Sequence, residues 1–271
     1  MMPFWKMHGA GNDFILFDDR GLTFPADDPA WIESVCQRRT GIGCEGILLL
    51  QPSDKAHFRM RFFNPDGRPA EMCGNGARCA ARLANQLGIA DNPMRIATDA
   101  GLLSATVTAG GVQLSLPDPT DLRPYFDLEV DGNTLSAGSA NTGVPHVVLE
   151  MQDLDEAPVI ALGAAIRHHA SFIPDGTNVN FIQRLDEHTL RIRTYERGVE
   201  AESGACGTGA AAAAIVMALR GRAQAPITLT ALSGDHLTIG FDLQEDTVIN
   251  LTLSGPTAHV YRGELALPGE A

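Results

Sequence analysis

Two stretches of the chain set arginine at alternate positions against apolar neighbours: Arg59-Met60-Arg61-Phe62-Phe63-Asn64 and, displaced by 132 residues, Arg191-Ile192-Arg193-Thr194-Tyr195-Glu196. A period of two is the mark of a half-buried strand. Beyond each strand the pattern changes. Cys73 to Leu87 and Cys206 to Arg220 are rich in Ala and Leu, and each is closed by a glycine, Gly88 or Gly221, where a helix C-terminus favours one. Both read as helices. The second is apolar nearly all round and must be buried on most sides, as a strand-rich half wrapped about it would achieve. Helices are also expected over Asp28 to Arg39, with Asp28 as cap and Pro29 in the first turn, and over Glu156 to His168. Gly110-Gly111, Asp131-Gly132 and Gly234-Asp235 punctuate the short strands between them.

The repetition extends further. Gly11-Asn12-Asp13-Phe14 lies against Gly143-Val144-Pro145-His146 at the same displacement, and after one inserted residue Cys73-Gly74-Asn75-Gly76-Ala77 matches Cys206-Gly207-Thr208-Gly209-Ala210. Gly88, Pro93 and Gly101 then meet Gly221, Pro226 and Gly234. Collinear matches of this kind argue for two similar halves. The expected fold class is α+β: two pseudo-symmetric domains, each a strand-rich, barrel-like sheet around a central helix, with an active site in the cleft between them.

Composition narrows the function. The 271 residues are 44% hydrophobic and 20% charged, which fits a globular protein, and no apolar run is long enough to span a bilayer. The start, Met1-Met2-Pro3-Phe4-Trp5-Lys6, lacks the pattern of a secretory signal, so a cytoplasmic location is expected. A net charge of -13 repels phosphate backbones and argues against nucleic acid as a partner. Lys6 and Lys55 are the only lysines, and neither has a phosphate-cradling loop beside it, which argues against pyridoxal phosphate. The five cysteines show no CxxC spacing, so neither a zinc nor a redox site of that kind is expected, and no metal or cofactor is called for. Cys36, Cys44 and Cys79 have no counterpart cysteine in the other half and read as small apolar fillers.

Cys73 and Cys206 are different, because both stand where a helix begins and both are followed by Gly-x-Gly. Helix N-termini present unpaired N–H groups and a partial positive charge, which lower a thiol's pKa toward neutrality. A carboxylate could accept hydrogen bonds from both helix starts. Two such thiols, one ionised and one protonated, suit the removal of an α-proton from one face of an amino acid and its return on the other. Backbone N–H groups on the carboxylate would stabilise the carbanion.

The stretches Met7-His8-Gly9-Ala10-Gly11-Asn12-Asp13-Phe14, Glu71-Met72-Cys73-Gly74-Asn75-Gly76-Ala77-Arg78-Cys79, Tyr195-Glu196-Arg197-Gly198, Ala205-Cys206-Gly207-Thr208-Gly209 and Gly255-Pro256-Thr257-Ala258-His259-Val260-Tyr261 resemble the motifs of the diaminopimelate epimerase family, in order and across nearly the whole chain. The resemblance implies a first domain of residues 1–117 completed by 253–271 and a second of residues 118–252. It implies cofactor-independent interconversion of LL- and meso-diaminopimelate, a step of lysine and peptidoglycan synthesis, by a homodimer. Cys73 corresponds to the proton donor and Cys206 to the acceptor in the LL-to-meso direction. Gly74-Asn75 and Gly207-Thr208 would hold the reacting carboxylate. Asn12, Asn64, Asn178, Glu196 and Arg197 match further substrate contacts, His146 and Glu196 match groups assisting the cysteines, and Tyr261 matches a dimer contact.

Two positions depart from the family pattern: Val144 stands where many members carry asparagine, and Gly46 where some carry glutamine. Two other functions remain open on sequence alone. One is a racemase of the same fold acting on proline, hydroxyproline or histidine; the other is a thiol redox switch in a binding protein without turnover.

Overall fold

The computed structural model describes residues 1–269. It divides into two compact units, one formed by residues 1–114 with the chain from 255 onward and the other by residues 115–254. Residues 270 and 271, which the expected first domain includes, lie outside the described residues.

In the first unit β1 (Met2–Gly9) pairs antiparallel with β2 (Asn12–Asp18), and α1 (Pro29–Cys36) then crosses to β3 (Ile47–Gln51), which is parallel to β2. β4 (Phe58–Phe63) is antiparallel to β3 and carries the short β5 (Pro69–Ala70). α2 (Gly74–Gln86) leads to β6 (Met94–Thr98), parallel to β4, and β7 (Gly101–Thr108) folds back on β6 before β8 (Gly111–Ser115).

The second unit repeats this order of pairings. β9 (Thr120–Val130) lies antiparallel to β10 (Asn133–Asn141), and β10 to β11 (Pro145–Glu150). After α3 (Val159–Arg167), β12 (Asn178–Arg184) pairs parallel with β11, and β13 (Thr189–Glu196) pairs antiparallel with β12 and carries β14 (Ala201–Ser203). α4 (Gly207–Leu219) is followed by β15 (Ile227–Thr230), parallel to β13, then β16 (His236–Gln244) and β17 (Thr247–Gly255). The last strand, β18 (Ala258–Leu265), belongs to the first unit and runs antiparallel to β1, from Met2 opposite Leu265 to His8 opposite Ala258. β18 therefore stands to β1 as β9 stands to β10.

The period-two patterns place side chains on opposite faces of each sheet. Ile47 and Leu49 of β3 join a core with Phe17, Phe24, Ile32 and Val35 under α1, while Leu48 turns to α2. In the second unit Val147, Leu149, Val179 and Phe181 pack with Val159 and Ile166 of α3. α4 packs against strands β9 to β12, β15 and β16. Its residues from Gly209 to Met217 are all buried, which accounts for its apolar circumference.

Two helices are shorter than their sequence pattern predicts. α1 ends at Cys36 instead of Arg39: Gln37 is extended, and the N–H groups of Ile42 and Gly43 return to the Val35 carbonyl. That return brings the chain so close that a Cβ on Gly41 would lie 2.2 Å from the Ser34 carbonyl oxygen. α3 begins at Val159 instead of Glu156, because Pro158 at its N-cap disfavours helical geometry in the residue before it.

Candidate active site

Cys73 and Cys206 are the N-cap residues of α2 and α4, both extended, at φ -140°, ψ 120° and φ -117°, ψ 110°. Each carbonyl accepts the first helical hydrogen bond, from Ala77 at 2.8 Å and from Ala210 at 2.9 Å. The backbones begin their helices alike, but the side chains do not bond alike.

Cys206 Sγ accepts the Gly209 N–H at 3.4 Å and lies 3.5 Å from Thr208 Oγ1. Cys73 makes no side-chain cap bond; its Sγ points to Asn12 Oδ1 at 3.8 Å. The orientation of that amide is fixed from both ends. Asn12 Nδ2 donates to the Glu45 carboxylate, and Asn12 Oδ1 accepts Asn75 Nδ2 at 3.2 Å, while Asn75 Oδ1 accepts the buried Arg78 guanidinium at 2.7 Å. An amide oxygen only accepts, so in this contact the Cys73 thiol is the donor. The sulfur of Cys206, by contrast, accepts from a backbone N–H.

Near Cys206 the second unit gathers other expected site residues. His146 is 1% exposed, and its Nδ1 lies 3.1 Å from Asn180 Nδ2. Burial, reinforced by the Arg197 charge, pushes the imidazole pKa down to about 3. Asn178, also buried, donates to the Pro145 carbonyl at 3.1 Å and accepts the Arg197 N–H at 2.8 Å, so its amide anchors the Arg197 backbone. Arg197 Nη1 donates to the Asp175 carbonyl at 3.1 Å. Glu196 closes β13 and is half-buried. Thr208 is tied by its carbonyl to the Thr142 hydroxyl at 2.9 Å. Gly207 opens α4 against Leu253, whose Cδ2 would lie 2.7 Å from a Cβ at that position.

In the first unit Gly74 opens α2. Asn64 sits in the turn after β4, where its N–H donates to Arg68 and its carbonyl accepts Gly67. Tyr261 is 44% exposed on β18, with Phe4 edge-on at 5.9 Å between ring centroids.

The remaining cysteines are buried. Burial pushes Cys79 up to about 12. Cys36 and Cys44 lie 3.4 Å apart, sulfur to sulfur, and the hydrogen bond between them, with burial, raises Cys36. Sequence reasoning passed over three polar residues at the site: Glu45, which orients Asn12, and Asn180 and Thr194, which bond beside His146. Among the described residues no group of three or more His, Cys, Asp or Glu is placed to hold a metal ion, and no helix is long and apolar enough to cross a membrane.

The two-domain α+β fold is shared with solved structures of low sequence similarity. A Bacillus anthracis phenazine biosynthesis protein of the PhzF family superposes with a TM-score of 0.73 at 15% identity, covering 98% of this chain and 99% of that one. A probable proline racemase from Agrobacterium radiobacter, with bound carbonate, gives 0.69 at 15% identity, over 98% and 93%. These likenesses define the fold. The sequence profile named diaminopimelate epimerase matches residues 4–116 and 138–252. The diaminopimelate epimerase of Aquifex aeolicus is 42% identical over 281 residues, 98% of each chain, and that of Moorella thermoacetica is 39% identical over 284 residues, 98% of this chain and all of the relative. The chain belongs to the diaminopimelate epimerase family.

Proposed function

We propose that the protein interconverts LL- and meso-2,6-diaminopimelate, with Cys73 and Cys206 as its acid–base pair. The observation that carries this is the opposite bonding of the two cap sulfurs: Cys206 accepts from Gly209, whereas Cys73 donates to Asn12. Inverting an α-carbon needs one base and one acid on opposite faces of the carbanion, and the resting protein supports that division of labour. In the LL-to-meso direction the Cys206 thiolate removes the α-proton and becomes a thiol, while Cys73 gives its proton to the other face and becomes a thiolate. The reverse direction exchanges the roles.

The first N–H groups of each helix, at Gly74-Asn75 and Gly207-Thr208, are suited to hold the reacting carboxylate and spread the carbanion's charge. Asn12 is a further contact near Cys73. Glu196 assists the cysteines as a neighbouring polar group. At the distal end of the substrate Asn64 and Asn178 supply polar contacts, and Arg197 supplies a charge-assisted fork to the second carboxylate. No cofactor or metal takes part. The protein works in the cytoplasm as a homodimer whose contact includes Tyr261. Its product serves lysine and peptidoglycan synthesis.

The test is to follow LL-diaminopimelate in heavy water with purified protein. Deuterium should enter the α-position as the meso isomer forms, and Cys73→Ala and Cys206→Ala should each abolish epimerisation. Variants replacing Cys36, Cys44 or Cys79 by Ala should stay active. Lysine, proline and histidine should be turned over far more slowly; faster racemisation of any of them would reject diaminopimelate as the substrate, and near-normal epimerisation by either active-site variant would reject the two-cysteine mechanism.

A further inference from the structure

Three equivalent positions in the two halves are filled with opposite chemistry. In the first unit Leu48 packs its Cδ atoms about 3.1 and 3.2 Å from where a Cβ on Gly76 would sit. It stands opposite Phe62 in the β3–β4 ladder, and the Phe62 ring meets Phe14 edge-on at 6.2 Å. All three are buried. In the second unit the residues 132 positions further on are Asn180, Thr194 and His146. Asn180 stands opposite Thr194 in the β12–β13 ladder, and its Oδ1 would lie 2.3 Å from a Cβ on Gly209. These three are 0%, 3% and 1% exposed. One half thus builds the same local fold from two phenylalanines and a leucine, so the fold has no need of polar groups there. A buried polar cluster costs stability unless every member is bonded, and its presence in one half calls for a function.

The bonding of the cluster determines a proton's position. Asn180 Nδ2 lies 3.0 Å from the Val147 carbonyl oxygen, which only accepts, so the amide nitrogen belongs on that side. Its second hydrogen points to His146 Nδ1 at 3.1 Å, and Thr194 Oγ1 donates to Asn180 Oδ1 at 3.1 Å. His146 Nδ1 is therefore an acceptor, and the ring proton sits on Nε2. That Nε2 is buried and has no hydrogen-bond partner among the described residues.

We infer that Asn180, oriented by Thr194 and Val147, is a positioning residue that holds His146 as the neutral Nε2–H tautomer, so that His146 serves the reaction as a hydrogen-bond donor to a ligand oxygen and not as a base. Burial and the nearby Arg197 disfavour a charged ring, in keeping with this role. Only the catalytic consequence rests on the proposed epimerisation; the tautomer does not.

The test uses the full-length, substrate-free protein labelled with 15N-histidine, the His146 signals being assigned by their loss in His146→Phe. Wild type should show a pyridine-type Nδ1 and a pyrrole-type Nε2 at neutral pH. Asn180→Asp, which removes the donor, should move the proton to Nδ1. Asn180→Leu, the residue found at the equivalent position 48, should fold, lose the single-tautomer signature and lower kcat with little change in KM, by about ten- to a hundredfold, the scale on which outer hydrogen-bond partners of metal-bound histidines act. A pyrrole-type Nδ1 in wild type overturns the inference, as does unchanged kcat in Asn180→Leu. Should either variant fail to fold, the wild-type spectrum alone decides. Should wild type not turn over diaminopimelate, the functional reading fails while the spectrum still tests the tautomer.

Discussion

The Gly209 N–H donates to the Cys206 sulfur at 3.4 Å, so the proposed proton acceptor is also the cap of its own helix, whereas Cys73 makes no cap bond. Removing a capping acceptor costs about 1 kcal/mol. Cys206→Ala should therefore lower the denaturant midpoint more than Cys73→Ala does. Cys206→Ser keeps an acceptor and should recover stability without recovering epimerisation. Equal midpoints for Cys206→Ala and Cys206→Ser would contradict the capping role.

Glu45 is linked to Cys73 through Asn12. Without its carboxylate, Asn12 loses one of the two bonds that fix its amide, keeping that from Asn75, and turns its NH2 group to the sulfur more often, which draws the sulfur toward the thiolate. Glu45→Ala should reduce kcat/KM by roughly tenfold, the cost of about one charge-assisted hydrogen bond. It should also speed alkylation of Cys73 by iodoacetamide. Peptide mapping of the alkylated protein reads this directly, and an unchanged rate at Cys73 counts against the relay.

His146 has a pKa of about 3 in the folded chain against an ordinary value of 6.5. Between these limits the unfolded chain binds a proton that the folded chain does not, so stability rises with pH there. The contribution is complete above pH 6.5 and is lost as the pH falls toward 3. Urea titrations from pH 7 to pH 4 should show a steeper loss for wild type than for His146→Phe. Parallel curves would place the histidine's titration elsewhere.

Gly46 has little room for a side chain. A Cβ here would lie 2.4 Å from the Phe62 ring and 2.8 Å from the Phe63 carbonyl oxygen. The ring could move, but the backbone oxygen is held by the β3–β4 ladder. Gly46→Gln should destabilise the protein by about 1–3 kcal/mol, the usual cost of overpacking. A shift in the thermal midpoint measures it.

The duplication, both central helices and the two cap cysteines were legible because they rest on local patterns: alternating arginines, glycine stops and a repeated Cys-Gly-x-Gly. The end of α1 was not, because the return of Ile42 and Gly43 to Val35 is a packing event with no periodic trace. Nor was the approach of Cys36 to Cys44, which that same return produces. Asn180 and Thr194 hid inside strands whose pattern reads as ordinary buried β. Comparing the halves position by position would have exposed them, since Leu48 and Phe62 stand at the matching places. Glu45 left no such trace, because the neighbours that give it a role come from other elements.

The pairing of β1 with β18 joins segments that lie more than two hundred residues apart in the chain. On the ribosome the second unit, a single uninterrupted segment, is complete before the first can close. β1 must wait through the synthesis of more than two hundred residues with one edge bare. Such distant closure makes for slow folding and leaves an edge open to the wrong partner. The nascent chain should therefore gain protease resistance in its second unit first, with β1 protected only once β18 has emerged.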